Sequence, residues 1–187
     1  MEAQSLKVVP QEMQLMVSVR QIQKDKDMKM QEEKSSVNDK KTIRQRRVVG
    51  AVMEINIGNE YYVYAQSYPH SQEVVFDYRS SEPLKDLSVL LSAKQLFRIA
   101  VYRRVIGSGY WKKVGKLPLR EDLLPVQMKY IYHKFDSIQF EIYNPDTGKV
   151  TPATKDECRG LEEAAVWDYG AIIDRIRDYY NGVPCIW

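Results

Sequence analysis

The sequence predicts an α+β domain that is mostly β: an antiparallel, strongly bent sheet or partly open barrel with one or two C-terminal helices packed on it. Three observations carry this. Between residues 48 and 151, β-branched and aromatic residues come in short runs separated by Gly, Asn, Asp and Pro, the pattern of strands joined by turns. The run at 96–102, LFRIAVY, is too continuous for a strand with one face in water. Beyond Asp168 the apolar period becomes helical, with Ile172, Ile173, Ile176, Tyr179 and Tyr180 repeating on one side.

Taken in order, residues 48–57 read as a strand, Gly58 and Asn59 as a turn, and 60–67 as a tyrosine-rich return strand. Residues 73–79 alternate as a third strand. Pro83 followed by Leu84, Leu87, Leu90 and Leu91 has the spacing of a short connecting helix. Residues 96–119 have the form of a central hairpin, with Gly107, Ser108 and Gly109 as its turn and Tyr110, Trp111 and Val114 returning to Gly115. Pro118 and Pro125 bracket a surface loop. Residues 126–135 and 138–143 read as strands, and Asn144-Pro145-Asp146-Thr147-Gly148 as a turn before 149–151. Thr154 and Glu157 fit a capping box that opens a helix or helical turn ending near Gly160. Asp168 caps the last helix, which Gly182 and Pro184 close. Gly170 in its first turn costs up to about 1 kcal/mol relative to Ala.

Composition divides the chain. All 13 Tyr, 4 Phe and 3 Trp follow position 60, whereas the start is dominated by Gln, Lys, Glu, Ser, Asp and Met. Residues 1–45 are therefore expected to be a flexible or weakly structured leader, since they have little to bury against the entropy of ordering, and 46–187 a single domain. Within the leader, 14–23 reads equally as an added strand or a short helix. The Arg44-Gln45-Arg46-Arg47 run reads as a solvated lead-in to the first strand. Residues 1–47 hold 11 Lys or Arg against 7 Asp or Glu, leaving 17 against 18 for the remainder. A near-neutral domain argues against nucleic-acid binding by the core and leaves that role at most to the leader. No apolar run approaches a membrane span and no signal-peptide order opens the chain, so a cytoplasmic protein is expected. Cys158 and Cys185, with His70 and His133, make neither a disulfide framework nor a metal set, so no metal or other cofactor is expected.

The motifs of nucleotide-binding loops, nucleophile elbows and zinc hydrolases do not occur. Gly107-Ser108-Gly109 lies between expected strands, not before a helix, and so lacks a helix N-terminus for phosphate. The acidic pairs Glu121-Asp122, Asp156-Glu157 and Glu162-Glu163 read as solvated charge, and His133 with Cys158 as ordinary core or surface residues. No catalytic residue is assigned. The densest aromatic group, Tyr61, Tyr62, Tyr64 and Tyr68, alternates between strand faces, so some of its members are expected at the surface. Exposed tyrosines suit a protein interface; a nucleic-acid stacking platform needs interleaved Lys or Arg, which 61–68 lacks. The expected partner-binding residues are Tyr62, Tyr64, Asp77, Tyr78 and Arg79, on loops and exposed strand faces of a scaffold.

Several short patterns in order, NEYYVYAQ at 59–66, VVFDYRS at 74–80, LFRIAVY at 96–102, WKKVG at 111–115, KLPL at 116–119 and the tail ATKDECRGLEEAAVWDYGAIIDRIRDYYNGVPCIW at 153–187, resemble the immunity protein 26 family of bacterial polymorphic toxin systems. The likeness covers about residues 45–187. It implies a mostly β cytosolic protein, without catalytic residues, that neutralises a cognate protein toxin by binding it; a nuclease is among the toxins it allows. Within these patterns Phe97, Trp111, Leu161 and Trp167 are expected in the core. Gly115, Glu162, Asp174 and Arg175 complete the structural set, with Glu162 and Arg175 expected as an orienting ion pair. Two other readings stand beside this one, a nucleic-acid-binding or regulatory protein using the basic leader and a small enzyme with an unrecognised site.

Overall fold

The computed structural model describes residues 44–133 and 139–184. The leader through residue 43, the expected strand ends at 134, 135 and 138, and Cys185 lie outside the described residues. The first strands obey the sequence closely. β1 (Ala51–Ile57) and β2 (Tyr61–Tyr68) pair antiparallel with Ile57 opposite Tyr61, and their turn places Gly58 and Asn59 at φ of 60° and 62°. β3 (Gln72–Ser80) continues the sheet, followed by β4 (Gln95–Val101).

The expected 96–119 hairpin does not form. β4 ends at Val101, residues Arg103–Gly107 wind into a short helix α1, and β5 (Lys112–Lys116) pairs with β1 at the far edge of the sheet. With β10 (Val166–Trp167) at the other edge, the order β10-β4-β3-β2-β1-β5 separates the two arms by three strands. Burial explains the outcome, because Val105, Ile106 and Trp111 all enter the core beneath this sheet, which a continuing strand with alternating faces would not allow. Gly109, at φ 79°, lets the chain turn out of α1. At Gly115 on β5 the Leu87 side chain packs over the backbone, its Cδ1 2.5 Å from the place a Cβ would occupy, so a larger residue would push Leu87 aside.

A second sheet has the order β8-β7-β6-β9, from β6 (Lys129–Tyr132), β7 (Phe140–Tyr143), β8 (Val150–Ala153) and β9 (Glu162–Glu163). β9 pairs parallel with β6, and β10 (Val166–Trp167) parallel with β4. The fold is thus mostly β, but each sheet is mixed and has two edges, so neither closes into a barrel. The parallel pairs arise because the chain past Gly160 runs across both sheets before its final helix.

That helix, α2 (Tyr169–Asn181), is capped by Asp168, whose Oδ1 accepts from Ala171 N at 3.0 Å, and stopped by Gly182 in the left-handed region. It buries Ile172, Ile173 and Ile176 against one face of the six-stranded sheet, in a core with Met53, Ile55, Val63, Phe97 and Trp111. The opposite face is buried too. Tyr64, Tyr68, Val74, Phe76, Leu90 and Leu123 form a second core, covered by Leu84, Leu87, Leu117 and Leu119. The leucines after Pro83 therefore do not share a helix face: Leu90 is buried, Leu84 and Leu87 are partly buried, Leu91 is exposed, and only a 3₁₀ turn at Ser88–Leu91 forms. Thr154 and Glu157 do make a reciprocal capping box, with Thr154 N donating at 2.7 Å and Glu157 N at 3.3 Å, yet the segment remains a series of turns. Gly160, at φ 82°, ends it before a helix is established. Among the described residues no helix is long and apolar enough to cross a membrane.

The arginine run is no solvated lead-in throughout. Arg47 Nε meets Glu73 Oε1 at 2.6 Å, and its Nη2 donates to the carbonyls of Tyr68 and Gln72. Ser67 supplies the other Glu73 oxygen with a hydrogen bond of 2.7 Å. Glu73 is wholly buried, which pushes its carboxyl up against the opposing pull of Arg47 and Ser67. Gln45, assigned by composition to the leader, belongs to the folded body: its amide donates to Ile106 O and Trp111 O and accepts from Lys113 N.

Candidate functional site

The five residues expected to bind a partner do not form one patch. Tyr64 is completely buried, its hydroxyl accepting from Leu84 N at 2.8 Å, and Tyr62 and Tyr78 pack partly buried against the second core. The expectation of exposed tyrosines on this strand fails because both sheet faces are covered. Asp77 and Arg79 turn to the helix side, where the end of β3 runs past the start of β4.

There they meet the last turns of α2. Asp77 Oδ2 accepts from Tyr179 Oη at 2.9 Å and Oδ1 from Tyr180 Oη at 3.3 Å. The Arg79 guanidinium lies 4.8 Å from the centre of the Tyr180 ring and 5.7 Å from that of Tyr61, within cation–π range. Tyr180 stands edge-on to both Tyr61 and Tyr179, with centroids 5.7 and 5.2 Å away. Burial and the Asp77 carboxylate push the Tyr180 phenol up; the Asp77 hydrogen bond does the same to Tyr179. Both phenols therefore remain donors through the neutral range. Tyr179 is nonetheless 48% exposed, and Arg79 is exposed. The cluster is a surface group of tyrosines and one arginine whose rotamers are fixed from beneath.

The remaining expected residues build the scaffold under this surface. Arg175 makes two bonds to Glu162, of 2.8 and 2.6 Å, and lies 4.2 Å from the Phe97 ring and 4.9 Å from the Trp167 ring. This clamp ties α2 to the second sheet through β9. Phe97, Trp111 and Trp167 are core residues; Leu161, expected there too, is only half-buried at the entry to β9, and Asp174 is exposed on α2. Of the acidic pairs only Glu162 departs from solvated charge, by holding Arg175; Asp122 and Asp156 are exposed, beside Arg120 at 2.6 Å and Arg159 at 2.7 Å.

His133 pairs with Glu141 at 2.7 Å across β6 and β7. Cys158 is buried, which pushes its thiol up and away from the thiolate a nucleophile needs.

Sequence reasoning also missed a small polar cleft. At the tip of the β2–β3 hairpin, His70 and Ser71 take φ of 53° and 57°, a left-handed pair that non-glycine residues seldom adopt. A small cleft of about 20 Å³, room for little more than one water molecule, lies beside this tip and is lined by Tyr68, His70, Gln72, Arg98 and Asp146. Arg98 is buried; it donates to the carbonyls of Pro125 and Leu123 and lies 5.4 Å from the Tyr68 ring centre. His70 approaches Asp146 at 3.4 Å. Lys129, also buried, donates to Arg98 O at 2.8 Å, and burial pulls its ammonium down. No local pattern marked this site, because it joins a hairpin tip, a strand and two loops distant in sequence.

No family model, curated protein or solved structure matches the chain.

Proposed function

We propose that the chain is a binding protein, without a catalytic step of its own, that neutralises a cognate protein toxin by covering an essential surface of it. One observation carries the binding reading. Tyr179 and Arg79 are exposed, yet Asp77 and Tyr180 hold them in place. Arg and Tyr dominate interface hot spots, and anchors already fixed before binding lose little entropy on association. The toxin as partner comes from the resemblance of residues 45–187 to immunity proteins, and covering such a surface needs no reactive group on the antidote.

The reading is tested by co-expressing the full chain with the protein toxin encoded beside it and by measuring complex formation. Tyr179→Ala and Arg79→Ala should each weaken binding about thirtyfold, the effect of losing roughly 2 kcal/mol. The melting temperature should stay close to that of the parent. Failure to protect against any neighbouring toxin would overturn the proposal.

A further inference from the structure

The charge of the folded body is near neutral in sum but uneven in place. Residues 87–120 contain eight Lys or Arg and no Asp or Glu, and 40–53 contain five and none. Folding brings the second stretch, from Arg44 onward, against the first. Gln45 is the joint: its backbone N donates to Gly107 O at 3.3 Å, while its side chain bonds Ile106 O, Trp111 O and Lys113 N. Arg44 and Arg46 consequently flank α1 and the start of β5.

Arg44, Arg46, Arg103, Arg104, Lys112 and Lys113 are all exposed along this edge. Glu54 is buried 3.6 Å from Lys112, and Asp168 is engaged as the cap of α2. Lysines on β5 alone would be explained as protection of an edge strand from pairing with another chain. Arg44, Arg46, Arg103 and Arg104 lie on no strand, so edge protection does not account for them.

Two large rings are interleaved with these cations. Tyr102, 50% exposed, precedes Arg103 and Arg104, and the Arg104 guanidinium lies 5.7 Å from its ring centre. Tyr110, 41% exposed, precedes Lys112 and Lys113 and stacks on Tyr169 with centroids 4.8 Å apart. Alternating cations and exposed aromatic faces suit a chain that offers phosphates and unpaired bases together, because the cations track the backbone while the rings stack the bases. A protein partner could use the rings as well, but cations alternating with exposed rings match the phosphate-and-base alternation of a single strand more closely.

We propose that the edge formed by Arg44, Arg46, α1 and the start of β5 binds single-stranded nucleic acid without sequence preference. This surface lies at the N-terminal end of α2, whereas the Asp77–Arg79 cluster lies at its C-terminal end, so the proposal stands apart from the toxin-binding reading.

The test is fluorescence anisotropy of the full chain with labelled oligo-dT and oligo-U at about 50 mM salt, the full chain being used so that any contribution of the basic leader is common to every variant. Arg103→Glu with Arg104→Glu should weaken binding by at least about tenfold and flatten the salt slope by roughly 1.4, two phosphate contacts at about 0.7 each. Arg44→Glu with Arg46→Glu should do likewise, and Tyr102→Ala with Tyr110→Ala should weaken binding about tenfold with the slope unchanged. Circular dichroism of each variant establishes that it is folded. No binding by the parent, binding unaffected by both charge reversals, or equal affinity for polyglutamate with no effect of the tyrosine changes would overturn the proposal, the last result assigning the edge to an acidic protein instead.

Discussion

α2 and the edge beyond its N-terminal end use arginine in opposite ways. Along α2 Arg175 is enclosed by Glu162, Phe97 and Trp167, while beside the C-terminal end Arg79 is stacked near the rings of Tyr61 and Tyr180 yet stays exposed. Beyond its N-terminal end Arg103 and Arg104 stand exposed, with a single tyrosine ring near one of them. A guanidinium that is paired and stacked holds elements together, whereas one left in water contributes little to stability and remains available to a ligand. Arg175 thus builds, Arg103 and Arg104 recruit, and Arg79, stacked yet exposed, stands between them.

This contrast is sharpest for Arg175. Its replacement by Ala leaves Glu162 half-buried without its partner and removes two ring contacts, so the fold should lose about 2–3 kcal/mol in chemical denaturation. A loss under about 1 kcal/mol would mean that the clamp is decorative.

Tyr180→Phe comes next. Removing one hydrogen bond to a carboxylate should cost about 1 kcal/mol. The sign of its pH dependence follows from the raised phenol: folding favours the neutral form, so the stabilisation is complete below the unfolded value of 10.0 and is lost as pH rises through the higher folded value. Denaturation followed from pH 9 upward should show a steeper decline for the parent than for the Phe variant, and identical slopes would refute the assignment.

The smallest effect belongs to the other end. Arg103→Ala with Arg104→Ala should leave stability within about 0.5 kcal/mol of the parent. A larger loss would show that these arginines also build, and the contrast between the two ends would collapse.

Local order was the legible part of the sequence. The Gly58-Asn59 turn, the Asp168 cap, the Gly182 stop and the apolar stripe of α2 are decided within a few residues, and each stands where the local pattern puts it. The 96–119 segment was misread because a run of β-formers broken by glycines suits a hairpin equally well as a strand, a helical turn and a second strand at the opposite edge. Only the burial of Val105, Ile106 and Trp111 on one side of the sheet decides between them. The candidate site was half legible. Asp77 and Arg79 were picked out as surface residues, but their bonds to Tyr179 and Tyr180 span about a hundred positions. Tyr64 was misplaced for a related reason: alternation says that two faces exist and is silent on whether the second is covered.

The ion pair between Arg47 and Glu73 gives the entry segment a meaning that its composition conceals. A chain begun at Val48 would retain every strand and helix of the described body, yet it would leave a carboxylate inside the sheet with one serine hydroxyl for company. The few residues before β1 are the plug of the β2–β3 hairpin rather than the end of a tail, and trimming them discharges the core.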